Sequence, residues 1–191
     1  MTVKKGFYLA LISLLLAVGV VTLGSFTRLV DAGLGCPDWP GCYGHLTWPD
    51  EADEIVAANQ AFPDAPVLRG KTWPEMVHRY VAGTLGLLVL ALAVFAFRNR
   101  RVENYPFRMP MIMLVLIIWQ AMFGMWTVTL KLWPQVVTIH LMGGVTTFAL
   151  LAVLVFRLND NLRIPNQAAT ALLSLRRLII GGFAIVFLQV F

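Results

Sequence analysis

The chain has 191 residues, of which 59% are hydrophobic and 13% charged, with a formal net charge of +5 and a mean hydropathy of +0.75. A water-soluble domain carries about 25% charged residues, so this composition excludes an ordinary soluble enzyme and points to an all-α membrane protein. The basic excess does not read as a nucleic-acid surface, because the cations are sorted along the chain in the way that membrane topology sorts them.

A bilayer core needs roughly 20 apolar residues per helix. Four windows meet that length: residues 7–25, 76–97, 107–130 and 136–156. The first follows a short basic segment, Lys4 and Lys5, as a secretory signal would. Its apolar stretch outruns the usual run of about 7–15 residues, and no convincing small-residue cleavage site follows. It is therefore read as a span.

Residues 27–72 form the one long connection, opening with TRLVDAGLGCPDWPGC and holding both cysteines, Cys36 and Cys42. The intervening PDWPG is turn chemistry that brings the two thiols together. They form either a disulfide stapling the loop over the mouth of the bundle or a reversible thiol pair that handles electrons. Further on, PDEADEIVAANQAF carries a helix-start signal at Pro49 and Asp50. It reads either as a short amphipathic helix at the membrane surface or as a solvated acidic loop. His45 reads as a solvated loop residue.

The second and third spans are joined by the basic RNRRVENYP, and the third and fourth by the tight KLWPQ. After the fourth span, RLNDNLRIPNQAATALLSLRR leads to a fifth apolar run that starts near Leu178 and stops at Phe191. About 14 residues are too few to span comfortably. Either the sequence is a piece of a longer protein, or the last helix takes a partner chain, which leaves a homo-oligomer open.

Alternating spans place ten Lys and Arg on the side of the N-terminus and five on the side of the long loop, while the acids run the other way. The positive-inside rule then sets the N-terminus in the cytoplasm and residues 27–72 outside. With no Arg- and Ser-rich presequence, a bacterial inner membrane is the simpler home.

A faint repeat runs through the spans. The first ends GSFT and the third GMWT; the second begins WPEMVH and the fourth WPQVVTIH. Each unit is a helix ending in Gly-x-aromatic-Thr, then a returning helix that opens with Trp-Pro and soon reaches a histidine. Proline suits a helix start because its missing N–H is unsatisfied there anyway, and Trp suits the interface. His78 and His140 thus fall at matching depth on two parallel-running spans. An ionisable residue inside a span is costly and marks a function by default. Two imidazoles so placed can ligate a heme iron from opposite sides, with Gly83, Gly86, Gly143 and Gly144 letting a flat macrocycle approach. The alternative is that each histidine hydrogen-bonds a neighbouring helix while the glycines serve helix contact. A zinc or copper site would need a third and fourth ligand, which the sequence does not place nearby.

Glu75 lies three residues before His78 and shares its helix face. It is either a functional carboxylate for proton or cation chemistry or an interfacial acid paired with Arg79 or Arg69. Arg28 and Arg79 are candidates for heme propionates. A bis-His cytochrome b and a heme-free subunit of a larger complex are rival readings. Glu75 and the cysteine loop distinguish the enzyme from a simple electron carrier.

Taken together, TRLVDAGLGCPDWPGCYG, EMVHRYVAGTLG and QAMFGMWTVTLKLWPQVVTIHLMGG resemble heme A synthase. The resemblance covers the first four spans and the loop. It implies an eight-span protein built of two pseudo-symmetric four-helix halves, each with a histidine pair. It also implies oxidation of a methyl group of heme O to the formyl of heme A, for the assembly of terminal oxidases. The N-terminal half takes the substrate heme O, delivered by a heme O synthase, and the C-terminal half holds heme b. Carried over, His78 and His140 are the iron ligands, Glu75 the catalytic glutamate, and Cys36 and Cys42 the loop cysteines. The chain then comprises a four-helix heme-binding half, residues 1–177, and the start of a fifth span, residues 178–191. Gln189 echoes Gln120 as though the repeat were resuming.

Overall fold

The computed structural model describes residues 3–159; the fifth apolar run, and Gln189 with it, lies outside the described residues. Five helices follow in order: α1 (Phe7–Leu29), α2 (Ala52–Ala61), α3 (Thr72–Arg98), α4 (Arg108–Thr129) and α5 (Pro134–Leu158). All but α2 are long and apolar enough to cross a membrane, so the chain is a multi-pass membrane protein. Three of these four helices extend beyond both ends of the apolar window read from the sequence, or beyond its C-terminal end, because polar residues form their terminal turns. In α3, the added first turn brings in Thr72, Trp73, Pro74 and Glu75. Pro134 sits in the first turn of α5, where its missing N–H costs nothing.

The acidic stretch of the long connection is helical. Glu51 caps α2, and Glu54 closes a reciprocal capping box with it. Both backbone N–H groups of Asp50 and Glu51 donate to Glu54 Oε2, at 3.0 and 3.3 Å. Those bonds hold the Glu54 carboxyl below its ordinary pKa. A Glu-led box is an uncommon variant of the Ser/Thr-led signature.

The four spans pack as a ring in which α1 touches α3 and α5, and α4 touches α3 and α5. The helices that carry the histidines, α3 and α5, therefore stand diagonally across the bundle. Packing is uneven along its length. At the end remote from the long connection, Ala10, Ala17, Leu85, Val89, Leu92, Met113, Leu151, Leu154, Val155 and Leu158 form one buried cluster. In lipid this cluster is held by close packing of side chains, since helix association there gains little from hydrophobic burial. Tyr8, Ile12 and Leu15 of α1 are exposed and face the acyl chains.

The other end is closed by the long connection. Cys36, Cys42, Tyr43, Ala58 and Met76 form a second buried cluster, with Trp48, Phe62 and Val67 packed against it. Gly35 lies directly on the Lys71 carbonyl at the start of α3, where a Cβ would collide with backbone. Between the two clusters the bundle is loosely filled. From Val18 to Phe26, His78 to Thr84, Gln120 to Thr127 and Val137 to Thr146, only Gln120, Phe123 and Gly143 are buried.

Candidate functional site

Both histidines sit in this middle layer, and the repeat read from the sequence has a structural counterpart. His78 on α3 lies against Gly24 on α1: a Cβ on that glycine would come within 3.0 Å of His78 Cε1. His140 on α5 lies against Gly124 on α4 in the same way, at 3.3 Å. The His78 ring lies near the backbone of Val20 and the His140 ring near that of Gln120. Val20 and Gln120 each precede their glycine by four residues. The glycine that opens each Gly-x-aromatic-Thr motif thus gives its imidazole a flat wall.

Among the described residues, three buried side-chain nitrogens have no hydrogen-bond partner: His78 Nδ1, His140 Nδ1 and Gln120 Nε2. An orphaned buried polar atom costs about 1–3 kcal/mol. An imidazole nitrogen that no protein group takes up is available to ligate a metal. A bare divalent cation needs three or four ligands, and no three His, Cys, Asp or Glu side chains converge among the described residues. Heme iron, already held by four pyrrole nitrogens, takes only one or two further protein ligands, a number that the two histidines could supply.

Glu75 sits one turn nearer the loop and is 5% exposed. Its Oε2 accepts a hydrogen bond from the Cys36 backbone N–H at 3.0 Å, and its Oε1 pairs with Arg79 Nη2. Arg79 Nη1 reaches the carbonyls of Asp38 (3.0 Å), Pro40 (3.2 Å) and Gly41. One guanidinium thus joins the carboxylate to the loop above it. Cys36 and Cys42 are bonded as a disulfide, and both are fully buried. The Asp38 carboxylate accepts the N–H groups of Tyr43 and Gly44 at 2.6 and 2.8 Å, which fixes the turn just after the disulfide.

Of the two arginines expected at propionates, Arg79 is committed to Glu75 and the loop. Arg28 is exposed in the last turn of α1. Arg69, the other partner considered for Glu75, is exposed in the loop. Beside Arg28, Asp31 pairs with Lys71 at 2.7 Å, and that ammonium holds its carboxyl below the ordinary value. His45 exchanges backbone hydrogen bonds with Cys42 and closes the turn as a loop residue. Gln120 is a site residue that the sequence marked only as a repeat position, echoed by Gln189, and not as part of the site.

A disulfide-closed loop is thus pinned to a buried carboxylate, above two diagonal histidines with unpartnered nitrogens, in a membrane-spanning four-helix bundle. A family model described as cytochrome oxidase assembly protein, COX15-CtaA, matches residues 7–191, and the chain belongs to this family. It is similar to the heme A synthase of Shewanella oneidensis, with 43% identity over 186 residues, 92% of this chain and 56% of that protein. It is also similar to the heme A synthases of Alkalihalophilus pseudofirmus (24% identity, 76% of this chain and 44% of that protein) and of an Exiguobacterium species (28%, 79% and 44%). The chain spans about half the length of the curated relatives it matches.

Proposed function

We propose that this chain is the heme O-binding half of a heme A synthase, an oxidoreductase that converts a methyl group of heme O to a formyl group. The observation that carries this reading is the diagonal pair His78 and His140, each with an unpartnered buried Nδ1, one turn below the buried Glu75. His78 and His140 hold the iron of the substrate from opposite faces. Gly24 and Gly124 keep the rings upright. Conversion of the methyl to the formyl takes an oxygen atom from water and releases four protons and four electrons; the iron of the bound heme would pass the electrons to an external electron acceptor. Glu75 serves as the proton acceptor for oxidation at the methyl carbon, held in place by Arg79 and the Cys36 N–H. The loop above keeps bulk water from the layer below.

In the whole protein this half is joined to a second, pseudo-symmetric four-helix half that holds heme b. A heme O synthase delivers the substrate, and the product goes to terminal oxidase assembly. The protein lies in a bacterial inner membrane with its N-terminus in the cytoplasm, and copies of the chain associate in the bilayer. The Cys36–Cys42 bond staples the loop over the site.

The test is chromatography with mass detection of heme extracted from the purified chain, made in cells supplied with heme O. Heme O is expected with the wild type and with Glu75→Gln, and is expected to be lost with His78→Ala. Heme b alone would favour an electron-carrying cytochrome. A folded protein without heme would contradict the histidine-pair reading.

A further inference from the structure

The two histidine hairpins match at the glycine and the histidine but differ one turn further from the loop. On α1 the residue four before the glycine is Val20; on α4 it is Gln120. Gln120 is 7% exposed, and its Nε2 has no partner. The amide lies where a Cβ on Gly143 would be, so only glycine at that point of α5 admits it. Four residues at 1.5 Å each put Gln120 about 6 Å farther from the loop than Gly124. A single amide donor is therefore held on one side of the histidine pair, at the deep end of the site.

Heme O has one feature suited to such a donor. Its propionates, being charged, belong at the wet, loop-facing end. Its farnesyl-bearing substituent, on the opposite edge of the ring, carries an alcohol that heme b lacks. A macrocycle held by two matching histidines can enter in two orientations related by a flip about the axis through its propionate edge. The flip exchanges the two ring methyls that neighbour the propionates. Only a contact off that axis distinguishes the two.

We infer that Gln120 is a specificity-determining residue whose amide N–H donates to the alcohol of heme O, selecting heme O over heme b and choosing which methyl is presented to Glu75. The inference rests on the heme O reading above. A buried alcohol paired with a buried amide satisfies both groups, whereas heme b leaves the amide orphaned, as it is now. Sites that hydrogen-bond a substrate hydroxyl reject analogues lacking it for this reason.

The test is a Soret-band titration of the purified chain in lipid nanodiscs with heme O and, separately, with heme b. The wild type should bind heme O more tightly. Gln120→Met, nearly isosteric and without a donor, should lose roughly five- to tenfold in affinity for heme O and leave heme b unchanged. Gly143→Ala, which displaces the amide but keeps Gln120, should act in the same direction. Heme-methyl NMR resonances should show one orientation in the wild type and two in Gln120→Met. Equal losses for both hemes, or a preference and orientation untouched by both variants, would overturn the inference. So would equal binding of the two hemes by the wild type, which leaves heme binding itself intact. A wild type that takes up neither heme would instead remove the reading beneath it.

Discussion

Replacing Arg79 with methionine is expected to weaken closure of the loop by about 3–5 kcal/mol, the usual cost of removing one partner from a buried ion pair. Both side chains of the pair are well buried, Arg79 at 13% and Glu75 at 6% exposure, so solvent does little to replace the lost partner. The loss goes beyond the carboxylate. The same guanidinium carries the carbonyls of Asp38, Pro40 and Gly41, and without it the turn holding the disulfide loses its anchor on α3. Protease cleavage within residues 30–71 should accelerate roughly a hundredfold or more, at about tenfold per 1.4 kcal/mol. Arg79→Lys should recover only part of this, since an ammonium lacks the planar fork that serves the carboxylate and the carbonyls together. In a double-mutant cycle with Glu75→Gln, the second substitution should cost much less once the first is made. An unchanged cleavage rate in Arg79→Met would mean that the clamp does not hold the loop.

The glycines beside the histidines should also be sensitive, although less so than the proposed ligands themselves. A Cβ at Gly24 would stand 3.0 Å from His78 Cε1 and one at Gly124 would stand 3.3 Å from His140 Cε1. Overpacking costs about 1–3 kcal/mol, which corresponds to about a ten- to hundredfold loss of heme O affinity if the ring turns away to accommodate it. Gly24→Ala, with the closer approach, should lose more than Gly124→Ala, and valine at either position should lose more than alanine. Titration of the four variants with heme O gives the order directly. Variants that bind as tightly as the wild type would show that the ring orientations seen against the glycines do not matter to the ligand.

Much of this architecture is visible in the sequence because lipid imposes strong rules. Twenty apolar residues must form a helix, since no water is present to satisfy the backbone, and all four spans were legible for that reason. The repeated Gly-x-aromatic-Thr and Trp-Pro-to-His spacings placed His78 and His140 at one depth. What they did not show is that each glycine packs on its own histidine. That depends on the antiparallel register of α1 with α3 and of α4 with α5.

The Glu75–Arg79 pair was legible as a spacing of four along one helix. The bond from the Cys36 N–H to Glu75 was not, because it joins backbone to side chain across 39 positions. Gln120 was missed as a site residue for a related reason. An amide inside an apolar span is unremarkable until its burial and its lack of a partner are known. The helix α2 was one of two open readings, and the choice fell to a capping box led by glutamate, which lacks the usual serine or threonine.

The proposed function requires that His78 and His140 face one another across the bundle and hold one iron between them. Low-temperature electron paramagnetic resonance of the ferric, heme-loaded chain tests it most directly, because two axial imidazoles give a low-spin signal. The account predicts that signal in the wild type, and its replacement by a high-spin signal or loss of the heme in both His78→Ala and His140→Ala. A low-spin signal that survives either substitution would place the iron elsewhere and contradict the account.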